Sequence, residues 1–160
     1  MPSRAVRKWL SPAAVALASL VVVAAGPSSA QTSIGQVKSI SGAVFVDRAG
    51  TAMPVRLGDH LQEADRLRAG ADGTVGITFI DNSMMSLGPE STLSLDRFRF
   101  DSTTHAGAFD SSLRRGTLSV KSGQIVRQTP EAMTVRTPAS ILGVRGTEFV
   151  VRVDAPADAN

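Results

Sequence analysis

Apolar and polar residues alternate in short runs along most of this chain. Gly, Pro, Asp or Asn cuts the runs every ~8–12 residues, the spacing of a protein built from many short strands. Residues 37–46 alternate around Ser41-Gly42, and Arg48-Ala49-Gly50-Thr51 closes that run as a turn. Leu57-Gly58-Asp59 is a second turn, followed by short segments around Leu61 and Leu67. Residues 69–73 carry the strongest loop signal. Val75, Ile77 and Phe79 share one face of a strand expected over residues 74–80. Asp81-Asn82 falls at the centre of an expected hairpin, because both residue types tolerate positive φ. Residues 84–87 return, and Gly88-Pro89 ends them.

The run 92–100 breaks its own rule. Leu93 and Leu95 share one parity, whereas Phe98 and Phe100 share the other. A regular strand cannot bury all four on one face, so an irregularity is expected near Asp96-Arg97. Further short strands are expected over 109–113, 117–120, 125–126 and 133–137, broken at Gly116, Gly123 and Pro130. Val144 and the run 149–153 also favour a strand, with Gly146 interrupting the pattern. Pro138 removes a donor and biases Thr137 toward an extended conformation, so a turn or sheet edge belongs there. No segment past residue 31 sustains a 3.6-residue period, which predicts no substantial helix. The fold class is therefore all-β, a two-sheet sandwich or an irregular solenoid, and spacing leaves both open.

The first thirty residues follow a different pattern. Arg4, Arg7 and Lys8 precede an uncharged apolar run over 13–25, and Pro27-Ser28-Ser29-Ala30 supplies small residues where a signal peptidase reads. This predicts a Sec-type signal peptide over 1–30, cleaved between Ala30 and Gln31, and a periplasmic product. The apolar run would span only about 20 Å as a helix, short of a hydrocarbon core of about 30 Å. Extension back to Trp9 leaves an uncleaved anchor open. No cysteine follows the run, so the chain is not a lipoprotein, and the head has no adjacent arginine pair for twin-arginine export.

Cleavage changes the charge argument. The whole chain carries 17 basic and 14 acidic residues, and the leader holds three of the basic ones. The remainder is formally neutral, so the basic character of the precursor is no argument for nucleic-acid binding. With no cysteine, stability must come from a core rather than from disulfides. One domain over 31–153 is expected, followed by a frayed tail over 154–160.

Several short elements, in order, resemble those of the FecR domain, the extracytoplasmic module of bacterial cell-surface signalling regulators. Gly42 with Val44 resembles its opening strand. Gly58-Asp59 and Asp65-Arg66-Leu67 with Gly70 are similar to its G-D and D-x-L-x-x-G elements. Phe79-Ile80-Asp81-Asn82-Ser83 resembles F-x-D-G-S, with Asn82 where Gly is usual. Leu87 to Ser91 resembles L-x-P-x-S, and Leu113 with Gly116 fits L-x-x-G. The chain closes on Thr137-Pro138 and Val144-Arg145-Gly146-Thr147, similar to the T-P-x-A and V-R-G-T-x-F ending. The resemblance implies an all-β, solenoid-like module. Regulators of the family add an anti-sigma segment and a membrane helix; nothing ahead of the leader is expected to serve as either, so only the module carries over.

Candidate chemistry is thin. His60 and His105 lie in separate loops, and no zinc site, P-loop or Ser–His–Asp arrangement is expected. Asp59 with Asp65, and Asp72 with Asp81, could face each other, but Asp beside Gly or Asn is usually a turn former. Arg97-Phe98-Arg99-Phe100 interleaves base and aromatic as single-strand binders do. The expected arrangement is phenylalanines inward and arginines in solvent. Arg145 is expected to bury its stem and bond the backbone or an acid, with Asp72, Asp81 and Glu148 as candidates. The remaining residues of interest are Thr137, Pro138, Val144, Gly146 and Thr147, as structural motif or interaction surface. The expected role is non-enzymatic: no cofactor, no metal, an envelope protein as partner, and no stable membrane insertion once cleaved. A carbohydrate- or peptidoglycan-binding module is the alternative, weakened by the lack of Trp and Tyr past the leader.

Overall fold

The computed structural model describes residues 32–145 and 148–154. The chain divides into two units, Met1–Ala30 and Gln31–Asn160, and the described residues all belong to the second. The expected leader and its Ala30/Gln31 junction, Gly146, Thr147 and the tail beyond Asp154 lie outside the described residues.

The strands are β1 (Gly35–Ser41), β2 (Val44–Arg48), β3 (Thr51–Pro54), β4 (His60–Leu61), β5 (Arg66–Ala69), β6 (Thr74–Phe79), β7 (Met84–Leu87), β8 (Thr92–Phe100) and β9 (Gly107–Lys121). A short helix, α1 (Gln124–Gln128), precedes β10 (Met133–Arg136), β11 (Ile141–Gly143) and β12 (Glu148–Val153). The order is β3-β2-β5-β8-β9-β7-β6-β1-β4, with β10 and β12 also on β9, and β11 on β10. The result is mostly β, a curled open sheet in the form of a half-barrel. The all-β expectation holds at that level.

β9 explains the curl. Residues 107–115 pair with β8, and residues 109–112 pair in parallel with β10. Residues 116–121 pair with β12, and residues 118–121 with β7. The partners change at Gly116, which has φ +90. A Cβ there would stand 2.0 Å from Ser91 Oγ, so the position needs both the left-handed backbone and the missing side chain. Gly116 was expected to end a strand. It bends one instead, because Ser91 Oγ accepts the Thr117 N–H at 2.9 Å and keeps the backbone satisfied through the turn.

The concave side holds the core. Phe79, Phe98 and Phe109 meet at centroid distances of 4.7–5.8 Å, two of the three pairs edge to face. Around them lie Leu61, Leu67, Leu93, Leu95, Leu113, Leu118, Met133 and Val135. The parity conflict in β8 is resolved as expected. The register shifts between Leu95 and Arg97, so Leu93, Leu95 and Phe98 are all buried. Phe100 is only partly buried, packed against the core rim and stacked on His105. Glu63 fastens the bulge: its Oε2 accepts the Phe98 N–H at 2.9 Å and pairs with Arg99.

Three local expectations are corrected. Residues 125–126 form α1 rather than a strand, although Ile and Val favour strands by propensity. Both side chains are buried at adjacent positions, which a strand on one core face cannot do. Ile141–Gly143 forms β11, held among the described residues by Thr134, Val135 and Arg136 of β10, where no strand was expected. Thr51, expected within a turn, opens β3.

Candidate functional site

The residues that first suggested a site fall in two settings. Thr137 and Pro138 open the turn between β10 and β11. Thr137 Oγ1 accepts the Ser140 N–H at 3.0 Å, and Thr137 N–H reaches Ser140 O at 2.8 Å. This closes a tight turn whose Pro138 and Ala139 are exposed. Val144 is buried, its N–H bonded to Met133 O at 3.0 Å. Arg145 was expected to bury its stem and is instead 76% exposed, with its guanidinium on Glu131, itself 67% exposed. The next residue after an inward Val144 points outward, and Glu131 in the approach to β10 lies within reach. None of Asp72, Asp81 or Glu148 is its partner.

The other motif carboxylates are turn and corner clamps. Asp81 is fully buried and accepts both the Ser83 N–H at 3.0 Å and the Ser83 hydroxyl at 2.6 Å. Ser83 Oγ in turn accepts the Gly123 N–H at 2.9 Å, and Asp81 O accepts the Gln124 N–H at 2.8 Å. Asn82 takes the expected positive φ of 64. Asp65 is buried against the Arg48 fork at 2.7 and 2.8 Å and also accepts the Gln62 N–H. That hydrogen-bonded contact raises the Arg48 pKa above its ordinary value. Asp59 accepts the Arg56 N–H, and Asp72 the Ala43 N–H. As turn formers would, each of these acids engages a backbone N–H, Asp65 an arginine as well, and none is bonded to another Asp.

Arg97-Phe98-Arg99-Phe100 follows the bland expectation. Arg97 pairs with Asp110 and Arg99 with Glu63, while Phe98 turns inward. The Phe98 N–H, with Arg99 beside it, lowers the Glu63 pKa below its ordinary value. His60 meets Ser33, and His105 lies on Phe100. Among the described residues, no three His, Cys, Asp or Glu cluster as metal ligands, and no helix is long and apolar enough to cross a membrane.

Hollows beside Asp96 and beside Arg115 are lined mostly by polar residues, and two other concave places carry more apolar lining. One depression of about 460 Å³ lies beside Glu63, Phe98 and Phe100, with Gln62 Oε1 buried there without a partner. The other is the trough between β11 and β12. Its two adjoining depressions, about 620 and 280 Å³, share Leu142, Val150 and Val151. Ile141 is 70% and Val150 65% exposed beside it. The sequence reading missed this surface. The signal was there, in the apolar pair Ile141-Leu142 directly after a Pro-containing turn.

These features define a mostly-β module with open strand edges and turn clamps made by short polar motifs. A family model described as FecR protein matches residues 65–159, more than half of the chain. The chain belongs to the FecR family, whose domains are extracytoplasmic in their family setting and typically serve envelope signalling. No curated protein and no solved structure gives a significant match.

Proposed function

We propose that this chain is an exported, non-enzymatic FecR-type module that binds a protein partner in envelope sensing or assembly. One observation carries the reading. Within the matched segment, Ile141, Leu142 and Val150 stay exposed along strand edges, next to the Thr137 turn and Arg145. Exposed apolar side chains gathered on unpaired edges suit recognition of another polypeptide. The basic head and apolar run within residues 1–30 support export to the periplasm with release after Ala30.

Cross-linking in the envelope followed by purification tests this reading. A protein adduct to the chain is the expected result. Sedimentation with purified peptidoglycan, without a protein adduct, would replace the reading with the carbohydrate-binding alternative.

A further inference from the structure

Resting on that reading and narrowing it, we propose that the trough between β11 and β12 receives an extended segment of a partner protein in which an apolar residue and an Asp or Glu stand two positions apart, laid along the free edge of β12.

The backbone argument comes first. β12 pairs only with β9, and β11 only with β10, among the described residues. Their opposite edges offer rows of N–H and C=O groups to an added strand. The trough follows β12, whose six residues extend about 20 Å. Leu142 and Val150 form its apolar sides, and Val151 is buried at its base.

Charge then selects the occupant. Arg114, Arg145 and Arg152 line the trough, against the single acid Asp154. Arg114 makes no ion pair among the described residues. Arg145 and Arg152 hold Glu131 and Asp154 in exposed pairs, which contribute little and yield readily to a better partner. A strand alternates its side chains with period two. Val150 and Arg152 share the exposed face of β12, so an added strand sets an apolar residue beside Val150 and, two positions away on the same face, a carboxylate beside Arg152, within the trough that Leu142, Arg114 and Arg145 also line.

The same reasoning disfavours a second copy of this chain. Two copies laid edge to edge at β12 would set Arg114, Arg145 and Arg152 against a second set of arginines. A lipid surface would leave the row of edge amides without strand partners.

The test uses the full-length protein, immobilised, to select from phage-displayed random peptides of about ten residues. Recovered peptides are expected to carry an apolar residue and an Asp or Glu two positions apart. A synthetic copy of one should bind less tightly as salt rises. Val150→Asp should weaken it at least about tenfold. Arg114→Glu with Arg152→Glu should turn the selection toward Lys and Arg. Circular dichroism checks that both variants stay folded. Recovery of no peptide, of basic or uncharged peptides, or of peptides indifferent to Val150→Asp overturns the proposal. So does vesicle binding to phosphatidylglycerol, or dimerisation, that Val150→Asp abolishes. A partner cross-link that survives Val150→Asp removes the trough but keeps the protein-interaction function; no protein cross-link to the unmodified chain removes that function itself.

Discussion

The turn at Asp81–Ser83 and the turn at Thr137–Ser140 use the same chemistry and end on opposite sides of the solvent boundary. In each, a side-chain oxygen accepts a backbone N–H two or three residues later. The first is then covered by Ser122, Gly123 and α1, whose backbone bonds directly to it. Nothing described covers the second. Local hydrogen bonding makes the turn; whether the motif becomes core or surface depends on what the chain later lays over it. Sequence motifs of equal density therefore differ in what their loss does to the molecule.

Gly123→Ala should break the buried side of that comparison most severely. A Cβ at Gly123 would sit 2.2 Å from Asp81 O and 2.3 Å from Ser83 N, both backbone atoms with no rotamer to change. A loss of about 3 kcal/mol, or failure to fold, is expected in urea denaturation. Asp81→Ala comes next. It leaves the buried Ser83 N–H without its acceptor and should lose about 2 kcal/mol by the same measurement. If either variant is as stable as the parent, the Asp81 turn is not the clamp its bonds suggest.

Glu63→Gln tests an intermediate case, a half-exposed clamp on the β8 bulge. The loss should be about 1 kcal/mol, since solvent screens part of the charge. Its acid dependence has a definite sign. The folded-state pKa lies below the ordinary 4.5, so the contribution is complete above that value and disappears as pH falls through the lowered folded-state pKa. Denaturation of parent and variant across pH 3 to 6, values on the order of the usual carboxylate range, should show the gap closing toward acid. A gap that widens on acidification would contradict the assigned contact. The smallest effect belongs to the open side. Arg145→Ala removes one exposed pair and should shift stability by about 0.5 kcal/mol or less. A large drop in melting temperature would show that Arg145 holds the fold after all.

How much was legible follows from range. Period-two alternation exposed the faces of β2, β6 and β8, and the parity conflict at Asp96-Arg97 located the bulge before any coordinates. Asn82 could be assigned its positive φ because the requirement is local to one turn. What failed was set by distant neighbours. Ile125 and Val126 prefer strands intrinsically, but the bond from Gln124 N–H to Asp81 O starts a helix there. Gly116 reads as a break unless Ser91 is known to face it. For the candidate site, the Thr137 turn was readable. The outward Arg145 was not, because its partner Glu131 comes from a separate turn. Of the trough only the apolar pair Ile141-Leu142 was legible, because β11 owes its existence to pairing with β10.

β9 has a kinetic consequence. Without it, the sheet path separates into β3-β2-β5-β8 and β7-β6-β1-β4, two four-stranded pieces that share no ladder. A chain made from its N-terminus completes both pieces before Lys121 exists, and each then presents one naked edge, β8 or β7. These edges are long-lived only if β9 is slow to arrive, since one strand must close both at once; its pairing with β8 is a local hairpin, but its pairing with β7 joins Met84 to Lys121 and Leu87 to Leu118 across the whole of β8. Folding should therefore wait on residues 107–121, and the half-made protein should be the form most prone to aggregate.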